Sequence, residues 1–330
     1  MEHPTTPTRE ALALRSFQPG DYAAYVALLN AARPDDPTTE DDVRLMDAQR
    51  DPGPAGRVLL AELEPQRGER LLGAYSYAPP RNPRPGKVAV RLAVHPDAPR
   101  DAAGELFAHL LRDLQSYELD GLLTNAREDA WDYRFYVNHG FRETDRMFTS
   151  TLDVTTFDAT PFEHFETRSR AAGVRVATLS DLPSDEAFQR RLYDLIVELL
   201  GDVPAAATFE PWSFETWQER VWNSPKRRPQ GHFVALRNDE LIGVSELYAS
   251  SRPGTLQTGL TGVKREYRRL GVAQTLKVAA ARHARDSGFR YIRTSNHTVN
   301  RPMLGINEAM GFEKEPAWVT LEFDLSGQRG

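Results

Sequence analysis

The chain contains no cysteine. That excludes disulfides, cysteine-ligated zinc and a cysteine acyl-enzyme. No run of 18 or more apolar residues occurs, so the sequence predicts no membrane-spanning helix. Basic residues are not in excess: 41 Lys and Arg stand against 47 Asp and Glu, a formal charge of −6. A nucleic-acid partner needs a basic surface to meet phosphates, and this composition argues against one. Histidines 232, 283 and 297 show no metal-ligand spacing, so no metal is expected and they read as structural. Met1–Arg9 is polar, lacks the apolar core of a secretory leader, and reads as a short disordered tail. These absences together fit a cytoplasmic protein.

What is present is 330 residues, 40 % hydrophobic and 27 % charged, enough for two domains of about 150 residues each. Two stretches resemble each other: Leu71-Leu72-Gly73-Ala74-Tyr75 and Leu241-Ile242-Gly243-Val244-Ser245. Gly140-Phe141 recurs as Gly311-Phe312, each after an amphipathic segment. The order of elements recurs too. Strands are predicted over 58–63, 71–78 and 87–94, then a helix over 100–117 and a strand over 121–125. The second half repeats this with strands over 232–237, 241–249 and 255–263, a helix over 271–286 and a strand over 290–295. A period this long marks a duplicated domain rather than a solenoid. Residues 157–173, with Pro161 and the polar run Glu166-Thr167-Arg168-Ser169-Arg170, read as a linker. The expected organisation is therefore a first domain over 1–156, a linker over 157–173 and a second domain over 174–330. Strands alternating with helices predict a mixed α/β (α+β) sheet in each, flanked by helices.

The strongest local signal is Val263-Lys264-Arg265-Glu266-Tyr267-Arg268-Arg269-Leu270-Gly271-Val272-Ala273. A strand ends near Val263, and a helix starts near Gly271 with Leu276, Ala279, Ala280 and His283 at helical spacing. Amides at a helix N-terminus have no internal partner and carry partial positive charge. Gly271 and Ala273 leave room for an anion such as a pyrophosphate to approach them, and the arginines can add charge-assisted hydrogen bonds. An ordinary turn with solvated arginines explains the same residues without a ligand.

With Arg268-x-x-Gly271-x-Ala273 after a strand and before a helix, the sequence resembles the GNAT (GCN5-related N-acetyltransferase) superfamily. Asn300, the helix that follows it, and Gly311-Phe312 closing that helix extend the resemblance. It covers 174–325 in detail and 12–153 by architecture, and it implies two tandem GNAT acyl-CoA N-acyltransferase domains, each a mixed, mostly antiparallel sheet. It further implies acetyl-CoA as cosubstrate and a primary amine of a small molecule as acceptor, in a monomer or homodimer. By the same resemblance Leu260, Thr261, Gly262 and Val263 hold the pantetheine arm. Arg268, Arg269, Leu270, Gly271, Val272 and Ala273 hold the pyrophosphate, and Asn296 and Asn300 contact the coenzyme. Asn300 before Pro302 also suits a helix N-cap.

Acetyl transfer to an amine needs a group to accept the amine's proton and a donor for the oxyanion. Gly259 and Gly262 suggest the irregular strand that such a backbone donor requires. Glu246, on a strand with apolar Ile242 and Val244 at alternate positions, is the best candidate base, because burial raises a carboxyl pKa towards neutrality. The family's tyrosine, four residues before Gly-Phe, is Asn307 here: an amide can hydrogen-bond to sulfur but cannot supply a proton. The first half has Tyr136 at that position, but its loop reads Pro99-Arg100-Asp101-Ala102-Ala103-Gly104. Pro99 replaces the motif's basic residue and Asp101 adds negative charge, so that copy reads as degenerate. Trp217 and Trp222 read as helix packing. The alternative function is a non-catalytic acyl-CoA-binding or regulatory module.

Overall fold

A computed structural model describes residues 12–64, 68–80, 84–203 and 210–326; the tail at 1–9 lies outside the described residues. The chain forms two compact units, one of residues 1–145 with 318–330 and the other of residues 146–317. No helix among the described residues is long and apolar enough to cross a membrane.

The first unit runs β1 (Leu12–Ser16), α1 (Tyr22–Ala32), α2 (Glu40–Ala48), β2 (Gly56–Glu64), β3 (Gly68–Ala78), β4 (Lys87–Val94), α3 (Ala102–Leu114), β5 (Gly121–Arg127) and α4 (Trp131–Asn138). Neighbouring strands from β1 to β4 are antiparallel, and β4 and β5 are parallel. Local sequence explains the elements. In α2, Thr39 and Asp42 form a reciprocal capping box, and three acidic residues occupy the first turn. In α3, Leu106, Phe107, Leu110 and Leu114 recur at helical spacing and bury against the sheet. Alternation along β4 sends Val88, Val90 and Leu92 to that core, while Ala93 joins a second core beneath α1.

The second unit runs β6 (Arg142–Asp153), α5 (Glu163–Ala171), β7 (Val174–Thr178), α6 (Glu186–Gly201), α7 (Phe214–Trp217), β8 (Arg227–Arg237), β9 (Glu240–Ala249), β10 (Thr255–Val263), α8 (Val272–Asp286), β11 (Tyr291–His297), α9 (Arg301–Ala309) and β12 (Glu313–Lys314). Its sheet has the order β6-β11-β10-β9-β8-β7, again with one parallel pair, β10 with β11. Helix α8 covers one face through Val272, Leu276, Ala280 and Ala284. Helices α6 and α7 cover the other through Leu192, Leu195, Leu199 and Trp217. Fully buried leucines such as Leu247 and Leu276 contribute roughly 2 kcal/mol each.

Two expectations change. Residues 157–173 are not a loose linker: Phe157 and Phe162 are buried in the α8 core and α5 packs on α8. Pro161 sits in the first turn of a 3-10 helix, where a missing N–H costs nothing, and the polar run belongs to α5, with Thr167, Arg168 and Arg170 exposed and Ser169 buried. The duplication also closes differently from a simple division near 156 and 174. The last strand, β13 (Trp318–Asp324), pairs with β5 in the first unit, and β6 pairs with β11 in the second. Each copy thus takes its final strand from the other's sequence. The strand pattern specifies which face is buried but not which partner edge is met.

Candidate acyl-coenzyme site

Strands β10 and β11 pair for only three residues, Thr255–Gln257 against Tyr291–Arg293, and then diverge. Beside this opening, β10 departs from its regular ladder with β9. Three residues advance from Thr258 to Thr261 while β9 advances two, from Leu247 to Ser245. The extra residue is a β-bulge at Gly259-Leu260, opposite Glu246. Glycine is required there, because a Cβ at 259 would lie 2.5 Å from the Tyr248 ring and 2.7 Å from Glu246 Oε2. The bulge turns the Leu260 N–H to Glu246 Oε2, to which it donates at 2.9 Å.

The loop after β10 is built to expose amides. Arg269 has φ 64 and Gly271 φ 80, both left-handed. Alternation of this kind points successive N–H groups into one concavity. The first bond of α8 is donated by Thr275 N–H to the Gly271 carbonyl, leaving the amides of Val272, Ala273 and Gln274 ahead of it for another acceptor. Ser169 of α5 holds the loop by donating to the Leu270 carbonyl at 2.9 Å and pairing with the Thr275 hydroxyl at 3.1 Å. A Cβ at Gly271 would lie 2.9 Å from the Phe165 carbonyl oxygen, so the position is restricted by space as well as by φ.

Over these amides lies a cavity of about 570 Å³, well within the size range of small-molecule sites. Of the coenzyme residues expected from the sequence, Thr261, Gly262, Val263, Arg268, Arg269, Gly271, Val272, Ala273 and Asn300 line it. Leu260, Leu270 and Asn296 do not. Leu260 is turned by the bulge to Glu246, Leu270 packs against the α8 core, and Asn296 accepts from Asn307 Nδ2 at 2.7 Å. Asn300 serves as the N-cap of α9, accepting from Met303 N–H at 3.4 Å, while also facing the cavity. Arg268 is already engaged: its Nε donates to the Val263 carbonyl at 3.0 Å and its guanidinium pairs with Asp202. Sequence reading missed the walls supplied by Phe165 and Arg168 of α5, Leu199 of α6, and Asp202 and Val203 beyond it. Their signal was distant in the chain, and α5 was hidden inside the supposed linker. The exposed amides, the left-handed glycine and the cavity together fit the pyrophosphate and pantetheine arm of an acyl-coenzyme.

Glu246 is 8 % exposed, and burial pushes its carboxyl up to about 7, against the opposing hydrogen bonds from Leu260 N–H and the Tyr248 hydroxyl. His232 Nδ1 lies 3.9 Å from Glu246 Oε1, but burial holds the imidazole down at about 3, so it is neutral and does not pair as an ion. Asn307 is buried; with Nδ2 given to Asn296, its Oδ1 is left buried without a donor. The unpartnered atom there is an acceptor. Trp217 and Trp222 are core residues packed on each other at 5.9 Å.

The first unit has the same opening, with β4 and β5 pairing over Lys87–Ala89 against Gly121–Leu123 and then diverging. Its details differ. The β3–β4 ladder runs without a bulge from Gly73–Val94 to Ala78–Ala89. Tyr136, 1 % exposed, places its hydroxyl in the gap, accepting Leu92 N–H at 3.0 Å and pairing with Thr124 of β5. Burial pushes that phenol up to about 12. In the following loop Ala98 N–H bonds to the His95 carbonyl and Ala102 N–H to the Pro99 carbonyl, and no described residue from 95 to 101 has a left-handed φ.

A family model described as the acetyltransferase (GNAT) family matches residues 193–312. Among solved structures, the chain is similar to a GCN5-related N-acetyltransferase from Sphaerobacter thermophilus. Identity is 17 %, covering 96 % of this chain and 97 % of that one, with a TM-score of 0.66. It is also similar to a tandem GNAT protein from the clavulanic acid biosynthesis pathway, at 18 % identity, 95 % and 98 % coverage and a TM-score of 0.70. At these identities the likeness is one of fold. No curated sequence gave a match.

Proposed function

We propose, from the match of residues 193–312 to the acetyltransferase (GNAT) family model and the likeness in fold to a tandem GNAT protein, that the protein moves the acetyl group of acetyl-CoA to a primary amine of a small molecule by direct attack. The observation that carries this reading is the pairing, in one unit, of an amide-lined cavity with a buried carboxyl poised near neutrality. The coenzyme supplies a reactive acetyl thioester. The amides of Val272, Ala273 and Gln274 bind its phosphates, helped by Arg269 and Arg168; Arg268 braces the loop through Val263 and Asp202. Glu246 accepts the proton lost by the attacking amine, and the freed electron pair forms the C–N bond as the C–S bond breaks. Leu260 N–H, at the bulge, is the amide nearest that carboxyl. Asn307 cannot supply a proton, so the departing thiolate takes its proton from water. The first unit, with its gap bridged by Tyr136, holds no coenzyme and serves as scaffold.

The alternative, a non-catalytic acyl-CoA-binding or regulatory module, is favoured by Asn307 in place of a proton donor. Steady thiol release over an amine panel, lost in Glu246→Gln, supports acetyl transfer. Coenzyme binding without release across the panel supports the module.

A further inference from the structure

The neighbourhood of Glu246 contains one guanidinium that its surroundings do not neutralise. Arg227 opens β8 and pairs directly across the ladder with Tyr248 of β9. Residues opposite each other in an antiparallel pair share a face, with Cβ atoms about 5 Å apart. Tyr248 in turn donates to Glu246, two residues along the same strand and on the same face. The guanidinium of Arg227 lies 4.1 Å over the Trp222 ring. Trp222 ends a π-helical turn, Gln218–Trp222, a local irregularity common where side chains must be aimed. Arg227 is half-buried, and no carboxylate hydrogen-bonds or ion-pairs with it among the described residues. The contrast with two other arginines of this unit is sharp: Arg252, in the turn between β9 and β10, and Arg293 of β11 both reach Glu315. Burying a charge without a partner is costly, and a guanidinium cannot shed its proton to escape that cost. Stacking on Trp222 fixes its plane and leaves its edge, with its paired N–H groups, for a planar anion.

We propose that Arg227 recognises a carboxylate on the acceptor, so that the substrate class is an amine that also carries a carboxyl group, amino acids being the simplest members. This rests on the reading of Glu246 as the base. Glu246 then faces the amine and Arg227 the carboxylate, with Tyr248 between them setting the separation. A neutral amine would leave the guanidinium unpaired, and a diamine would add a second cation beside it.

The test is calorimetric titration of the protein, with coenzyme A present, using the standard L-amino acids and their C-terminal amides as matched pairs. At least one acid should bind tenfold or more tightly than its own amide. Arg227→Gln should erase that preference, and Arg227→Lys should restore part of it, since charge returns without the planar fork. Because a misfolded Arg227→Gln protein would lose both ligands together, the lysine variant and the wild-type acid-to-amide ratio carry the result. Equal affinity for acid and amide in the wild type, or a preference that survives in Arg227→Gln, overturns the proposal. Thiol release separates the two readings. Turnover of neutral amines with no acid preference leaves acetyl transfer standing and removes Arg227's role. Selective binding of acids with no release of thiol from any of them supports the recognition site and removes the catalytic reading.

Discussion

Two copies of one strand opening occur in this chain, and their surroundings differ. In the second unit β10 carries a bulge at Gly259-Leu260, the opening leads to a cavity, and the loop beyond has two left-handed residues that leave amides unpaired. In the first unit β4 pairs evenly with β3, the loop bonds to itself, and Tyr136 ties β4 to β5 through one hydroxyl. The tyrosine retained in the first copy is thus a buried strut, with its pKa pushed away from any physiological proton transfer. Its counterpart, Asn307, is buried against Asn296, outside the cavity lining, and cannot deliver a proton. The parallel splay of strands is common to both; what distinguishes them is one extra residue in a strand and two positive φ angles in a loop.

The comparison can be broken most forcefully at the loop. Gly271→Asp puts a carboxylate and a disallowed Cβ against the Phe165 carbonyl, and acetyl-CoA affinity should fall at least a hundredfold, about 3 kcal/mol. Gly104→Asp, at the start of α3, meets nothing within 4 Å and should leave that affinity within a factor of two. Next in size is Glu246→Gln, expected to reduce kcat by about a hundredfold, in line with general-base catalysis, with little change in coenzyme binding. The same residue sets a pH dependence. Its pKa is raised to about 7, so the carboxyl is protonated and idle below that pH, and kcat/KM should rise with pH to about 7 and then level off. The sign for stability is opposite. The folded state holds this proton more tightly than the unfolded chain, so Glu246 weakens the fold as pH rises from 4.5 towards 7. Glu246→Gln should therefore unfold at the same or a higher temperature than the wild type at pH 8. A lower unfolding temperature would show that Glu246 is a structural anchor of the bulge. Smaller again, Tyr136→Phe leaves Leu92 N–H buried without an acceptor and should cost about 1–3 kcal/mol on denaturant unfolding. Thiol-release kinetics should hardly change. A large loss of turnover would return Tyr136 to the chemistry.

Much of this was legible before any coordinates. The repeat of Leu-Leu-Gly and Gly-Phe revealed the duplication because each copy needs the same glycine turns and the same apolar alternation. The loop at 268–273 stood out because two arginines and a glycine fall between a predicted strand and a predicted helix, which the structure places there as β10 and α8. Glu246 stood out because a carboxylate between apolar strand positions is exceptional. What stayed hidden depends on distant contacts. Helix α5 was masked by Pro161 and a polar face, yet it supplies Phe165, Arg168 and Ser169 to the loop. Pairing of β13 with β5 and of β6 with β11 cannot be read from a two-residue alternation. Asp202, just beyond α6, engages both Arg265 and Arg268 and so turns an expected phosphate ligand into a brace.

The asymmetry between the copies is tested most directly by the stoichiometry of acetyl-CoA binding, measured by calorimetry on the wild-type chain and on Gly271→Asp. One molecule per chain, lost in the variant, is the predicted result. Two molecules per chain, or one that persists in Gly271→Asp, would contradict the assignment of the coenzyme to the second unit alone.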